Sequence, residues 1–274
     1  MQKYAALLSY VGTRYCGWQK QTGSAAEGAP AIQATFDEAL RQMTSEPEAR
    51  TVGSGRTDSG VHAVGQVVHF VLHRRAWDPQ ILRRGLNSIL PSDIQVIAVR
   101  EVPLDFHAQR SAEKKQYSYY FQQGTMALPH LEPLSWWIRR PLDREAMQRG
   151  LDFLKGEHDY KAFQASGSTP GPTVRKILEA EVEWQPIPFP GFFPGALEGG
   201  SPFGFVRVRL IGTGFLKQMV RGISGTLLQI GEGRRPPEDM KRILETMDRK
   251  AVGPTAPARA LWLEQVWYPG IGWG

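Results

Sequence analysis

The sequence predicts an α+β fold built from two similar halves. Apolar runs without a helical period, rich in β-branched or aromatic residues, mark strands in both halves. Between them, apolar residues recur every three or four positions, as on one face of a helix. The order of these signals over residues 1–105 is β-α-β-β-α-β, and residues 106–274 repeat the order without an evident repeat of sequence. That order is the split βαβ pattern of ferredoxin-like domains.

Taken in turn, residues 4–11 are apolar, lack a helical period and stop at Gly12, which predicts a strand. A loop follows, formed by Gly17-Trp18-Gln19 and the Ala/Gly-rich stretch 22–30. Ile32, Phe36, Ala39, Leu40 and Met43 then share one helical face. Residues 50–54 and 66–72 read as strands entering and leaving a polar loop. Ile81, Leu82, Leu86 and Ile89 line a helix that starts after Pro79 and is ended by Pro91. Residues 94–102 alternate and form another strand.

In the second half, residues 116–121 are an aromatic strand, with Tyr117 and Tyr119 on one face and Tyr120 and Phe121 toward the other. Residues 144–154 read as a helix with Ala146, Met147, Leu151 and Leu154 inward. Residues 177–184 and 203–211 are expected strands, joined by the Pro/Gly-rich connection 186–202. An apolar helix over 216–230, a charged amphipathic one over 236–247 and a strand over 262–268 complete the order.

Composition narrows the class. Of 274 residues, 41% are hydrophobic and 22% charged, ordinary values for a soluble globular enzyme. The balance of 33 Lys plus Arg against 27 Asp plus Glu points moderately to a polyanionic partner. The basic residues come as scattered doublets such as Lys114-Lys115 and Arg175-Lys176, so folding must assemble any positive face. Cys16 is the only cysteine, which excludes an intrachain disulfide and fits a reducing compartment. Gly12 and Arg14 interrupt the first apolar run too early for a signal peptide. No other apolar run is long enough to span a bilayer, so a cytoplasmic protein is expected.

The chemistry concentrates in Gly53-Ser54-Gly55-Arg56-Thr57-Asp58-Ser59-Gly60-Val61-His62-Ala63. A carboxylate on a loop anchored by strands at both ends is held in place yet reachable by a ligand. A polar hairpin turn explains Asp-Ser-Gly alone. It does not explain a long connection that carries an Arg, an Asp and a His together.

Other motifs are weaker. Gly212-Thr213-Gly214 lies between a strand and a helix and reads equally as a tight turn or as a cradle for one phosphate with Lys217. Lys217 stands where a dinucleotide fingerprint needs its third glycine. His69 and His73 have metal-ligand spacing only on a helix, and their segment reads as a strand, so no metal site is expected. Tyr117 and Tyr119 behind Lys114-Lys115 read either as a core strand whose aromatics pack inward, which holds for at least one tyrosine face, or as a basic-aromatic group suited to stacking on a splayed base beside its phosphates. Arg221, amid Phe215, Met219, Val220 and Ile223, reads either as a side chain snorkelling at a helix edge or as one with an anionic partner, since an unpaired buried charge is expensive. Asp58 is the expected partner.

The 53–63 loop resembles the signature of the tRNA pseudouridine synthase A (TruA) family. The resemblance extends through residues 10–19, Ile32-Gln33 with Glu38-Ala39-Leu40, Phe106-His107-Ala108, 114–119, 156–159, 173–175, 214–225 and 253–263. Departures are Val11 where the family usually has Asp, Gln109 in the middle motif, Ala260 and Trp262 near the end, and a longer 186–202 stretch. The resemblance implies the pseudouridine synthase fold, two ferredoxin-like halves with an RNA-binding cleft between them. It implies conversion of uridine to pseudouridine in the anticodon arm of tRNA by a homodimer, with no cofactor and no metal. It matches Asp58 to the catalytic aspartate and Arg56 to its loop neighbour. Tyr117 corresponds to the residue that stacks on the target uracil, and Arg221 to the aspartate's ionic partner. His107, Arg110, Lys114 and Arg175 are then the expected RNA contacts.

The residue types suit that reaction, which breaks the C1′–N1 bond, turns the base and rejoins it through C5. An ionised aspartate can attack the sugar or the base, or remove the C2′ proton. A non-catalytic RNA-binding protein of the same fold would be expected to alter Asp58 or Tyr117, and neither is altered. A glycosidase generally uses paired carboxylates, and the loop supplies one.

Overall fold

In the computed structural model, which describes residues 1–19, 28–168, 170–186 and 204–273, the N-terminal apolar run forms strand β1 (Gln2–Tyr10). Most of the expected 22–30 loop, nearly all of the 186–202 connection and the start of the 203–211 strand lie outside the described residues. Helix α1 (Ile32–Thr44) has no side-chain cap at its start. Its first amides are satisfied by main chain instead, Ile32 N donating to Gly17 O (3.1 Å) and Gln33 N to Trp18 O (2.9 Å). Strand β2 is only Val52–Gly53, shorter than the expected 50–54, whereas β3 (His62–Leu72) begins four residues before the expected 66. Helix α2 (Pro79–Ile89) starts on the Asp78 carboxylate, which accepts from Gln80 N and Ile81 N, with Pro79 in the first turn. Strand β4 (Ile94–Glu101) follows, tied back to α2 by the Asn87 amide, which both donates to and accepts from the Val96 backbone.

The chain folds as two units, Met1–Lys115 with Trp262–Gly274, and Gln116–Leu261. In the first, β4, β1, β3 and β2 pair antiparallel in the order β4-β1-β3-β2, the arrangement of a split βαβ unit, and a later strand adds in parallel to the start of β3. Tyr4 faces Phe70 across β1 and β3, and their rings stack at 5.6 Å with Phe36 of α1 behind. These side chains, with Ile32, Leu40, Leu72, Leu82 and Leu86, are fully buried and form that unit's core.

The second unit starts along β5 (Lys114–Gln123), which pairs in parallel with the short strand β6 (Trp136–Ile138). Tyr119 and Phe121 are both fully buried, with ring centroids 4.9 Å apart. Phe121 thus shares the Tyr119 face, contrary to expectation, because alternate residues of a strand point the same way. Helix α3 (Arg144–Asp152) is capped by Asp143, β7 is Gly156–Asp159, and β8 (Val174–Pro186) pairs antiparallel with both β7 and β9 (Gly204–Gly212). The strand order is β5-β9-β8-β7. Val206, Val208 and Leu210 of β9 are wholly buried, while Arg207 and Arg209 on its other face pair with Glu179, Glu181 and Glu183 of β8.

Helix α4 (Met219–Gly231) begins three residues later than expected, because Gln218 is left-handed (φ 61°). All its residues but Arg221 and Gln229 are buried, as befits a helix apolar on every side. Gly225 lets the 253–256 backbone lie directly on the helix; a Cβ there would run into the Pro254 carbonyl oxygen. Helix α5 (Asp239–Thr246) is the charged amphipathic one, and β10 (Leu261–Trp267) runs parallel to the start of β3, Trp262 beside His62 and Leu263 beside Ala63. Among the described residues no helix is long and apolar enough to cross a membrane.

Gly225→Ala tests the main-chain contact on α4. The added methyl has no space, so the variant is expected to lose about 1–3 kcal/mol of stability, read as a lower urea midpoint with an unchanged slope.

Candidate active site

The loop between β2 and β3 is held from its own hairpin and from a strap, residues 10–18, that leaves the end of β1. At the hairpin side, Ser54 N donates to Val67 O (2.7 Å) and its hydroxyl to Gln66 Oε1 (2.6 Å). The Gln66 amide in turn donates to Gly55 O (2.9 Å), and Lys115 Nζ donates to Ser54 O (2.6 Å). A buried glutamine satisfied at both ends fixes the entry of the loop more firmly than a two-residue strand could.

The strap reaches the middle of the loop. Thr57 is gripped twice, its hydroxyl by Tyr10 OH (2.9 Å) and its carbonyl by Trp18 N (3.0 Å). Tyr10, Trp18 and Thr57 are all buried, and burial pushes the Tyr10 phenol well above its ordinary pKa, so it stays neutral. Ser59 Oγ donates to Tyr15 O (3.1 Å), and Val61 N donates to Asp58 O (3.1 Å) through a turn containing Gly60 at φ 79°. Asp58 is half-buried and Arg56 exposed, so the loop presents both between anchored neighbours. The strap is itself fixed on Asp93, whose carboxylate accepts from Arg14 Nε (2.8 Å) and Tyr15 OH (2.7 Å), and whose carbonyl accepts from Val11 N (3.0 Å).

The expected RNA contacts of the first unit lie on residues 107–114. His107 Nδ1 accepts from Gln109 N (3.2 Å) and Arg110 N (3.3 Å), forming a tight turn that leaves Arg110 exposed. Burial and the Arg110 charge lower the His107 pKa. Its ring lies 4.8 Å from that of His69, a buried histidine whose Nδ1 accepts from Ala108 N (3.1 Å). Lys114 Nζ sits over the Trp267 ring at 4.8 Å. His69 thus faces main chain and a second imidazole.

In the second unit, Tyr117 is only 8% exposed, its ring edge-on to Phe215 at 5.0 Å. The sequence suggests an open aromatic platform, and here the Phe215 ring packs against Tyr117 and leaves it mostly buried. Arg221 is half-buried, with Nε donating to Ala256 O (2.7 Å) while Ala256 N donates to Arg221 O (3.2 Å). Arg175 donates from Nη1 to Pro172 O and Val174 O and lies along Gly214, so the Gly212–Gly214 turn and one expected RNA contact share a surface.

Sequence reasoning passed over Gln66, Thr57, Tyr10, Trp18 and Asp93 as site residues. A glutamine and a tyrosine inside otherwise apolar strands were the available signal for two of them. The others act largely through main chain, which leaves no pattern of residue types.

A sequence profile described as tRNA pseudouridine synthase matches residues 6–109 and 152–269. The tRNA pseudouridine synthase A of Thermus thermophilus is 37% identical over 273 residues, covering 98% of this chain and 98% of that protein. The Bdellovibrio bacteriovorus protein of the same name is 38% identical over 267 residues, covering 96% and 93%. That of Lactococcus lactis subsp. cremoris is 36% identical over 271 residues, covering 99% of each.

His69 makes stability depend on pH. Burial, then Lys3, His107 and Arg110, lower its pKa from 6.5 to about 4. The unfolded chain therefore binds more protons between those values. Stability is full above about pH 6.5, falls as pH drops toward 4, and loses no more through this group below that. Denaturation midpoints measured across this range should fall for the parent and fall less for His69→Gln.

Proposed function

Because the chain belongs to the tRNA pseudouridine synthase family, we propose that it isomerises uridine to pseudouridine in the anticodon arm of tRNA, with Asp58 as the group that starts the reaction. The observation that carries this reading is a loop with an aspartate that the resemblance matches to the catalytic one, anchored on both sides, in a chain that matches its relatives over nearly its whole length.

The reaction balances within the nucleotide. The C1′–N1 bond breaks, C1′ bonds to C5, C5 gives up its proton and N1 gains one, so neither a redox partner nor a group donor enters. Asp58 supplies the carboxylate that opens the C1′–N1 bond, by attack on sugar or base or by taking the C2′ proton. Half-burial keeps that carboxylate in reach of substrate while its neighbours hold the backbone still. Arg56, exposed two residues away, meets the backbone of the target nucleotide.

A base inside a stem must leave its stack before any of this can happen. Tyr117 is the platform for the flipped uracil, and Phe215 yields to admit it, since the Tyr117 ring is packed against it in this conformation. His107, Arg110, Lys114 and Arg175 contact phosphates. Arg221 holds the 256 backbone in the second unit while serving the site with its charge. We take the working form to be a homodimer, as the resemblance implies, and sedimentation of the purified protein reads this directly.

Mapping pseudouridine in tRNA before and after incubation tests the reading. Asp58→Asn is expected to bind tRNA like the parent and to form no pseudouridine; turnover within a few-fold of the parent removes Asp58 from its role. Losing Lys114 should weaken all substrate tRNAs alike and flatten the plot of log affinity against log salt by one contact, about 0.7–0.9. Tyr117→Ala should instead lower modification and leave that slope unchanged, because stacking releases no counterions.

A further inference from the structure

His62 is wholly buried, opens β3 and lies four residues beyond Asp58. Its Nδ1 accepts the backbone N–H of Gly12 at 3.0 Å, so the neutral ring carries its proton on Nε2. The imidazole lies nearly parallel to the Trp262 indole, with centroids 4.4 Å apart and planes 29° apart, and the two residues are register partners of β3 and β10. The ring is therefore fixed both in plane and in rotation.

What it fixes in turn is Gly12, the point where the strap leaves β1. The Gly12 backbone presses so closely on Val61 that a Cβ would overlap the Val61 carbonyl oxygen. Val61 N donates to Asp58 O and closes the turn that begins at Asp58. Contacts thus run from imidazole to Gly12, to Val61, to Asp58. The entry side of Asp58 has separate anchors in Thr57, Tyr10 and Trp18. The exit side leans on His62.

We infer that His62 is a positioning residue: its neutral imidazole, seated on Trp262 and accepting from Gly12, sets the exit of the turn and so aims the Asp58 carboxylate. This rests on Asp58 being the reactive carboxylate. Loss of the acceptor leaves the entry anchors intact, so the protein is expected to fold and bind RNA while the carboxylate drifts. A displacement of about 1 Å at a reacting group costs about a hundredfold in rate.

Three variants separate the contributions, each assayed for single-turnover rate, tRNA affinity and thermal midpoint. His62→Phe keeps a ring for Trp262 and removes the acceptor; its rate should fall about ten- to a hundredfold with tRNA affinity unchanged. His62→Asn restores an acceptor near the Nδ1 position and should recover to within a few-fold of the parent. Trp262→Ala removes the seat of the ring and should lower rate without lowering affinity, which decides the matter if His62→Phe does not fold. Parent-like rates in His62→Phe or, failing that variant, in Trp262→Ala overturn the inference. So does a loss in His62→Asn as deep as in His62→Phe. Asp58→Asn run alongside keeps the two levels apart. If it is inactive and His62→Phe is fast, only the positioning role falls; if Asp58→Asn is active, the functional reading falls and takes this inference with it.

Discussion

The grip on Thr57, a hydroxyl held by Tyr10 and a carbonyl held by Trp18, is the contact on which the arrangement around Asp58 depends. Strand β2 is two residues long and cannot by itself order the connection that follows it. A net intramolecular hydrogen bond contributes about 1 kcal/mol, whereas fixing one residue's backbone costs about 1–2 kcal/mol. No single anchor can therefore hold a loop of this length. Several must act together, and they do so where water is excluded: Ser54, Thr57, Val61, His62 and Gln66 are all buried, while Arg56 and Ser59 reach the surface.

Asp93 has a comparable place on the far side of the strap, and its partners differ in weight. Arg14 is 69% exposed, so its ion pair is screened and contributes little. The Tyr15 hydroxyl and Val11 amide are the stronger ties. Burial, then the hydrogen bond to Asp93, push the Tyr15 phenol above its ordinary pKa and keep it a donor. The strap is thus strung between β4 and the Asp58 loop by neutral donors, an arrangement insensitive to salt even if RNA binding itself is not.

Much of this was legible in the sequence. Helical and strand periods placed the elements of both units, and the glycine-rich polar stretch stood out because it holds more chemistry than a turn requires. The failures have physical reasons. The expected strand over 66–72 misses residues 62–65 because His62 is polar and Gly65 a common strand breaker, and polarity at a buried strand position looks like loop until its partners are known. Tyr117 beside Lys114 and Lys115 is a different case: the ring that covers it, Phe215, comes from a distant part of the chain, which no local pattern shows. The two lysines point to different tasks, Lys115 to the Ser54 carbonyl and Lys114 to the Trp267 ring, as adjacent residues of a strand must. Strap contacts through main chain leave no trace in residue type.

The pairing of β10 with the first residues of β3 has a consequence for the order of assembly. The strap and the Asp58 loop lie within one stretch of chain and leave the ribosome early. Trp262, which seats His62, follows only after the whole second unit has been made. Closing so long a loop is entropically costly and slow, and must await synthesis in any case. A growing chain therefore carries every residue of the Asp58 motif long before Trp262 is there to seat His62, and RNA that meets it during translation meets an unfinished site.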